Sequence, residues 1–496
     1  MSVMRTKSIE QSLKDTDEPE YRLKKSLTAL DLTVFGIGVV IGAGIFTLTG
    51  RAAGTMAGPS IVLSFVLSGL CCAFAALCYA EFASTVPVSG SAYTFSYASL
   101  GELIAWIIGW DLMLELLVGA GTVAQGWSQY AELLIHQLGG DGFSEHIGPF
   151  HWLAALLVFG LCVLITVGIK ESLRVNMALV ALKIFIVLFV IIAGLFFIQA
   201  ANYSPFIPPS QPGEQVAGLT QPLIQALLGM QPSAFGVFGI FSGAALVFFA
   251  YIGFDVVATT AEEARNPQRD LPIGIIASLI ICTILYCAVC LVITGMVRYD
   301  KIDPDAALAQ AFETVGKGWM ATIISAGAVA GLMTVVLTLL TGASRVVFAM
   351  SRDHLLPPRL SALHPSFKTP YRVIAIIGVV GILIAGFVPE DWLAEMVNIG
   401  TLTAFILVSI GVVVLRRTRP DLPRAFRVPG VPAVPIVSAL ICFYLTINLS
   451  IETWIRFVVW MAVGFLVYFG YSRTRSRLAT GADLHSAPEA VDQERS

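Results

Sequence analysis

Long apolar runs alternate with short polar segments along the chain, and this pattern predicts an all-α membrane protein. A bilayer core about 30 Å thick requires about 20 apolar residues in a helix that crosses it. Twelve runs reach or approach this length, of which the ninth and the last two are short. We therefore expect about twelve transmembrane helices, at residues 30–49, 60–80, 103–123, 152–169, 175–197, 235–258, 273–297, 319–340, 373–388, 392–415, 434–449 and 457–469.

The composition supports this interpretation. Apolar residues make up 56% and charged residues 13% of the 496 positions, with a mean hydropathy of +0.81. Soluble domains are about 45–50% apolar and about 25% charged, so an ordinary cytosolic enzyme is excluded. The net charge of −3 is too balanced to indicate a nucleic-acid partner. The sequence contains no HExxH, GxSxG or GxxxxGK[ST] motif, so it predicts neither an enzyme nor an ATP-driven pump, and no cofactor or metal.

The basic residues predict the orientation of these helices. With twelve spans and the N-terminus inside, 24 of the 30 lysines and arginines fall in inner segments and five in outer segments. Cytoplasmic loops of membrane proteins carry such an excess of basic residues. We expect a multi-pass protein of the plasma membrane with both termini in the cytosol.

The same pattern divides the chain into six parts. Two groups of five spans, at residues 30–199 and 235–415, are separated by an extracellular loop at residues 200–234. Residues 416–470 hold the last two spans. The polar ends, at residues 1–29 and 471–496, are predicted to be a cytosolic leader without a signal peptide and a disordered cytosolic tail.

The first and sixth runs contain residues that resist a continuous helix. Four glycines fall within residues 36–44, and each costs a helix interior up to about 1 kcal/mol relative to alanine. The spacing Gly38-x-x-x-Gly42 is also typical of a tight helix-packing face. The sixth run, however, places Gly253 and the carboxylate Asp255 in mid-membrane, where the start of a resumed helix would stabilise the charge. We expect broken helices 1 and 6 in a five-plus-five inverted repeat, with two appended helices.

The two predicted breaks suit a zwitterionic ligand. Free N–H groups at the first break can hold a carboxylate, and unpaired carbonyl groups at the second can accept hydrogen bonds from an ammonium group. An α-amino acid carries both charges, and Phe249 would act as a hydrophobic gate above it. The candidate substrate-binding residues are Ile41, Gly42, Ala43, Gly44, Phe249, Ala250 and Ile252.

Charged residues within the spans are the other candidates. Lys183 lies eight residues into the fifth run, where a lysine is costly, and an ammonium group that can lose its proton is a candidate for proton coupling. The alternative is a lysine that extends to the inner interface near Arg174. Glu115 shares a helical face with Asp111, and whether it lines the cavity or pairs within the bundle stays open. Glu81, at the inner end of the second span, is a candidate gate or interface residue.

Several segments of the chain resemble the cationic amino acid transporter family of the amino acid–polyamine–organocation superfamily. The resemblance extends over residues 20–470. The motifs that carry it are Ile41-Gly-Ala-Gly-Ile-Phe46, Phe248-Phe-Ala-Tyr-Ile-Gly-Phe-Asp255, Cys78-Tyr-Ala-Glu81, Pro87-Val-Ser-Gly-Ser-Ala-Tyr93, Gly109-Trp-Asp-Leu112, Glu262-Glu-Ala-Arg-Asn-Pro267 and Ser351-Arg-Asp353.

This resemblance implies the leucine-transporter fold and proton-coupled import of L-amino acids by alternating access. It implies that Gly42–Gly44 hold the substrate carboxylate, that the second break holds the amino group, and that Lys183 takes the place of a sodium ion. Leu332 or Met333 in the eighth span would limit the size of the substrate side chain. Leu116 stands where members often have an aromatic residue, so cationic and small neutral substrates both stay open.

Two alternatives remain at this point. An amino acid exchanger of the same fold would require counter-substrate, and an amino-acid-binding membrane sensor would require a signalling domain larger than the short tail. The expected partners are an L-amino acid, protons and the lipid bilayer, with an accessory subunit left open.

Overall fold

A computed structural model describes residues 27–85, 93, 96–97, 100–140, 142–168, 173–212, 218–231, 233–367, 369–422 and 424–480. Helices dominate these residues. The twelve longest, numbered in chain order, are α1 Ala29–Val40, α2 Ile61–Thr85, α3 Glu102–Gln137, α4 Trp152–Val167, α5 Leu173–Gly194, α6 Gly236–Val247, α7 Pro267–Met296, α8 Gly318–Arg352, α9 Tyr371–Phe387, α10 Glu390–Thr418, α11 Ala433–Ile447 and α12 Ile451–Val467.

Among the described residues, eight helical segments are long and apolar enough to cross a membrane by length and composition. The helices α1, α4, α9 and α11 are apolar but shorter, with 10–17 residues each. The eight longer segments are Gly44–Thr85, Glu102–Gln137, Met177–Phe197, Gly236–Ala258, Pro267–Met296, Gly318–Arg352, Glu390–Thr418 and Ile451–Thr480.

Local sequence explains where some of these helices begin. The Thr28 side chain accepts a hydrogen bond from the Asp31 amide at 3.3 Å, and Asp31 accepts one from the Thr28 amide at 2.9 Å. This reciprocal capping box satisfies two amides at the start of α1. Ser450 caps α12 by accepting from the Thr453 amide at 3.2 Å.

The packing centres on two long helices. The helix α3 packs against α8 and α10, and α7 packs against α1 and α2. A small residue makes one of these approaches possible, since a Cβ at Gly274 of α7 would lie 2.8 Å from the Cβ of Leu32 in α1. Small residues let helix backbones approach closely within a membrane, and this contact holds α7 beside the first half of the interrupted helix.

The structure differs from the sequence-based boundaries at the C-terminal end. Residues 471–480 fall in the segment predicted to be a disordered tail, but they are helical apart from Ser476. Two serine hydroxyl groups tie this segment to the bundle: Ser472 donates to the Leu355 carbonyl oxygen at 2.6 Å, and Ser476 donates to Glu102 at 2.7 Å. Residues 481–496 of the predicted tail, and residues 1–26 of the leader, lie outside the described residues.

Residues 200–234, predicted to be a loop, contain a little regular structure. A short helix spans Leu223–Leu227, and the two-residue strands Gln211–Pro212 and Ser233–Ala234 pair antiparallel. The Leu223 amide donates to the Leu449 carbonyl oxygen at 3.0 Å. The segment therefore lies against the connection between α11 and α12.

Candidate functional site

The first helical interruption lies at Ile41 and Gly42. The helix α1 ends at Val40, Ile41 takes an extended conformation with φ −72° and ψ 90°, and a helix resumes at Ala43. The first amides of a resumed helix have no acceptor within it. The N–H groups of Gly42, Ala43 and Gly44 therefore lie at the start of the resumed helix, before its first complete turn.

Two side chains from other helices satisfy carbonyl groups at the end of α1. The Lys183 Nζ atom of α5 donates to the Gly38 carbonyl oxygen at 2.6 Å, and the Tyr286 hydroxyl group of α7 donates to the Val40 carbonyl oxygen at 2.7 Å. These carbonyl groups lost their helical partners when α1 stopped. Lys183 is 1% exposed, so its side chain is buried in the bundle and does not extend to an interface.

The second interruption includes the Gly253 that the sequence singled out. The helix α6 ends at Val247, a 3-10 turn covers Phe248–Tyr251, and Ile252 is extended with φ −62° and ψ 134°. Gly253 follows with φ +118°, a conformation that residues with a side chain rarely adopt. The break therefore falls at residues 252–254, followed by a 3-10 helix at Asp255–Glu263.

Two carbonyl groups predicted to be unpaired at this break have partners in this conformation. The Phe249 carbonyl oxygen accepts from the Ile252 amide at 3.2 Å because the 3-10 turn continues to that residue. The Ala250 carbonyl oxygen accepts from Tyr286 at 3.0 Å. Among Phe249, Ala250 and Ile252, it is Ile252 whose backbone is extended rather than helical. The Asp255 carboxylate accepts from the Gly253 amide at 3.3 Å, so the backbone beside the break stabilises it.

The two interruptions are in direct contact. A Cβ added at Gly44 would overlap the Cα of Ala250, and a Cβ at Gly253 would lie 2.7 Å from the Val39 side chain. The Tyr286 hydroxyl group reaches carbonyl oxygens on both sides, at Val40 and Ala250. A hydroxyl group has one hydrogen to donate, so the two carbonyl oxygens share a single donor.

A cavity of about 20 Å³ lies between the interruptions. A space of this size holds about one water molecule and is too small for an amino acid, so a ligand requires the surrounding helices to move apart. The lining residues are Val39, Val40, Gly42, Ala43, Gly44, Glu115, Gly119, Val123, Phe249, Ile252, Val335 and Leu339.

This lining includes most of the residues that the sequence singled out, but not all of them. Ile41 and Ala250 are buried beside the cavity without lining it. From α8, Val335 and Leu339 line the cavity, whereas Leu332 is buried elsewhere and Met333 is 39% exposed on the outside of the bundle. Met333 lies on a different face of α8 from Val335 and Leu339, whereas Leu332 shares their face but lies two turns before Leu339 along the helix.

The carboxyl group of Glu115 gives the cavity its polar character. Glu115 lines it and is 2% exposed, and its Oε1 atom has no hydrogen-bond partner among the described residues. One turn earlier on α3, both carboxyl oxygens of Asp111 are buried and likewise lack a partner in the described part of the chain. An unpartnered buried polar atom is costly, so Glu115 offers an available hydrogen-bonding group to a bound molecule.

Sequence reasoning missed some polar groups that hold the interrupted helices. The Asn398 side chain of α10 donates to the carbonyl oxygens of Ala245 and Leu246, at 2.8 and 3.0 Å, where α6 ends. Tyr286 does the same for α1. A polar residue inside an apolar run can be recognised in the sequence. The group on another helix to which it bonds cannot.

Glu81 lies in an ionic cluster rather than at the cavity. Its carboxylate accepts from Arg416 at 2.5 and 2.9 Å and from the Val428 amide at 2.7 Å, and Arg424 lies 3.5 Å away. Glu81 is 3% exposed. The cluster joins the end of α2 to the last turn of α10 and to the connection that follows it.

Comparison with known proteins identifies the kind of molecule to which this site belongs. The amino acid permease family model matches residues 27–468, which is most of the chain. The chain belongs to this family. Amino acid permeases are transporters rather than enzymes, and the apolar helices agree with an integral membrane protein.

Three relatives illustrate the range of this permease family. This permease is 45% identical over 469 residues to a methylthioribose transporter of Bacillus subtilis, covering 92% of this chain and 95% of the relative. It is 45% identical over 488 residues to the branched-chain amino acid permease BcaP of the same organism, covering 96% and 99%. It is 39% identical over 413 residues to the vacuolar cationic amino acid transporter 2 of Arabidopsis thaliana, covering 81% and 61%. The resemblance to cationic amino acid transporters is thereby confirmed at the level of the family.

Proposed function

We propose that this permease imports L-amino acids with apolar side chains across the plasma membrane by proton-coupled symport. The observation that carries the proposal is the contact between two interrupted helices around a common cavity. Helix interruptions near the bilayer midplane supply backbone N–H and carbonyl groups to a polar substrate. The N–H groups of Gly42, Ala43 and Gly44 would hold the substrate carboxylate, and the Ile252 carbonyl would accept from its ammonium group.

The side chain of the substrate would occupy the remainder of the cavity. Apolar residues from four helical segments line this part, and they favour an aliphatic group over a charged one. Glu115 would then act as a protonated carboxyl group beside the substrate. The residues that define this apolar part are Val39, Val40, Val123, Phe249, Val335 and Leu339.

Lys183 would couple protons to substrate movement. Its ammonium group bonds to the Gly38 carbonyl oxygen at 2.6 Å, close to the first interruption. Loss of the proton weakens a charge-assisted hydrogen bond, so the end of α1 would be released when Lys183 becomes neutral. Alternating access would follow from movement of the interrupted helices against the rest of the bundle.

The five-plus-five inverted repeat and the twelve-span topology belong to this proposal. The asymmetry of basic residues supports a cytosolic position for both termini. The loop between α3 and α4 would then face the outside.

A second candidate substrate is methylthioribose, a neutral thio-sugar. The relative named for that solute is as identical to this chain as the branched-chain permease is, at 45% in both comparisons. A sugar has no ammonium group, so it would leave the Ile252 carbonyl without its proposed partner.

Uptake by the purified chain in proteoliposomes tests these proposals. We expect saturable uptake of radiolabelled L-leucine or L-valine, stimulated by an inward proton gradient and weakly inhibited by L-arginine. Uptake that is independent of the proton gradient and requires an amino acid inside the vesicles would identify an exchanger. Methylthioribose uptake without competition by any amino acid would contradict the substrate assignment.

A further inference from the structure

Asp111 of α3 is a buried carboxyl group that the proposed transport cycle does not use. It is 1% exposed, and neither of its carboxyl oxygen atoms has a hydrogen-bond partner among the described residues. Other buried carboxyl groups of the bundle do have partners: Asp255 accepts from the Gly253 amide at 3.3 Å, and Glu102 accepts from the Ser476 hydroxyl group at 2.7 Å. Asp111 differs from them because both of its oxygen atoms are buried and unpaired.

The helices packed against α3 bring no counter-charge to Asp111 from their central parts. The helix α3 packs chiefly against α4, α8, α9, α10 and α12. Away from their ends, these helices contain no aspartate, glutamate, lysine, arginine or histidine, and their one titratable group is Cys162 of α4. The segments concerned are residues 153–167, 319–344, 373–387, 396–415 and 457–467. On α3 itself, the titratable group that shares the face of Asp111 is Glu115, which is also an acid.

Asp111 lies beside the substrate cavity, on the helical face that lines it. Residues four apart share one face of a helix, and Glu115, four residues after Asp111, lines the cavity together with Gly119. A helical turn rises about 5.4 Å, so Asp111 is about one turn from the cavity, toward the start of α3. Both Asp111 and Asp255 are close enough to Glu115 to interact with its charge.

Burial without a partner determines whether Asp111 carries a proton in this closed conformation. Transfer of an unpaired carboxylate ion from water to an apolar environment costs far more than transfer of the neutral acid. The buried group is therefore stable as the neutral acid, with one proton bound. An aspartate side chain in contact with water is ionised at neutral pH, so the protonation of Asp111 depends on whether water reaches it.

Substrate exchange changes the access of water to this group. The closed cavity of about 20 Å³ is too small for an amino acid, so the helices around it must separate before a substrate enters or leaves. A Cβ at Gly400 of α10 would lie 3.9 Å from the Asp111 carbonyl oxygen, which shows that α10 covers α3 at this level. An opening that admits an amino acid to Glu115 would admit water one turn further along α3.

We propose that Asp111 is a second proton-binding site, which takes up a proton when the helices close over the substrate and releases it when the cavity opens to the cytosol. The inference rests on the proposed function, in which Lys183 carries the other proton. The Asp111 carboxylate gains one H⁺ from water on the outer side and loses it to water on the inner side, so no oxidant or reductant is needed. Import would then use two protons for each amino acid.

A count of the protons taken up when substrate binds tests this site. Isothermal titration of the purified full-length protein with L-leucine at pH 7, in buffers of different ionisation enthalpy, gives that number. We expect Asp111→Asn, which has the shape of the neutral acid, to take up about one proton fewer per leucine than the wild type. Glu132→Gln is the matched control, because it changes a carboxyl group near the other end of α3, 3.6 Å from His136, and it should match the wild type.

Accumulation of L-leucine in proteoliposomes provides a second measurement. With the membrane potential held at zero, each coupled proton can raise the ratio of internal to external leucine by about tenfold per unit of pH difference. We expect the limiting ratio to fall about tenfold in Asp111→Asn, whereas counterflow without a pH difference should persist.

Two kinds of failure can be distinguished. Wild-type uptake that does not respond to the proton gradient would overturn the proposed function and this inference with it. Coupling in the wild type, together with an unchanged proton count and an unchanged leucine ratio in Asp111→Asn, would overturn the role of Asp111 alone. Asp111→Leu is a second variant that cannot carry the proton, and retention of that proton in either folded variant, as judged by size-exclusion profile, would contradict the inference.

Discussion

The ammonium group of Lys183 lies 2.6 Å from the carbonyl oxygen of Gly38. This bond joins α5 to the last turn of α1, immediately before the chain leaves the helical conformation at Ile41. The charge and the interruption therefore form one structural unit, in which a proton on Lys183 can influence the shape of the substrate site.

Replacing this lysine tests the coupling role. In Lys183→Ala we expect uptake to lose its dependence on the proton gradient and to fall about tenfold, because an unsatisfied buried carbonyl group costs about 1–3 kcal/mol. Uptake in proteoliposomes measured from pH 5.5 to 8 checks this. Lys301→Ala, at an exposed position outside the spans, should behave as the wild type. A normal pH profile in Lys183→Ala would count against coupling through this residue.

The contact between Gly44 and Ala250 predicts a strict size limit at the first break. A Cβ at Gly44 would overlap the Ala250 backbone, so Gly44→Ala should separate the two interruptions and greatly reduce uptake, and Gly44→Leu should abolish binding. Gly160→Ala is the control, since a Cβ at Gly160 meets nothing within 4 Å. Leucine binding to detergent-purified protein gives the readout, and wild-type affinity in Gly44→Leu would refute the placement of the carboxylate.

Removing the shared donor of Tyr286 should loosen both interruptions. Tyr286→Phe leaves the Val40 and Ala250 carbonyl oxygens without this hydroxyl group, at a cost of about 1–3 kcal/mol, and we expect a lower substrate affinity with little change in expression. Tyr203→Phe deletes an equivalent bond, to the Leu291 carbonyl oxygen at 2.6 Å, on an exposed segment. The KM for leucine uptake should rise in Tyr286→Phe and stay at the wild-type value in Tyr203→Phe. Identical KM values for the two variants would argue against a role for the shared donor.

The rotation of α8 predicts which residue sets the size of the substrate. Leu339→Ala enlarges the cavity, so uptake of L-phenylalanine relative to L-valine should rise. Met333→Ala should leave this ratio unchanged because Met333 faces outward. Competition by a panel of amino acids measures the ratio. If Met333→Ala changes the ratio and Leu339→Ala does not, the result would favour Met333 as the residue that limits side-chain size, as the family resemblance implies.

The ionic cluster around Glu81 predicts an effect on stability rather than on substrate choice. Glu81→Gln leaves Arg416 and Arg424 without their counter-charge, and we expect a loss of about 3 kcal/mol in the free energy of unfolding. The apparent Tm in detergent reports it. Asp421→Asn, which removes the exposed partner of Arg419, should leave the Tm unchanged, and equal Tm values for both variants would contradict a stabilising role for the cluster.

Much of this site could be predicted from the amino-acid sequence. Apolar runs identify the membrane helices because the bilayer requires a minimum length of apolar helix. Glycines at residues 36–44 and Gly253 indicate the interruptions because backbone preference is a local property. A 3-10 turn nevertheless extends the helix as far as Tyr251, and it satisfies the Phe249 carbonyl group that was predicted to be unpaired.

The sequence by itself determined the family, the helical membrane architecture and the approximate positions of the two breaks, all of which depend on residues close together in the chain. Tertiary structure decided which side chains complete the site. Lys183, Tyr286 and Asn398 reach carbonyl groups on other helices, and Val335 and Leu339 face the cavity in place of Leu332 and Met333. The physical reason is that the rotation and approach of a helix depend on its packing against distant segments, which hydrophobic periodicity does not specify.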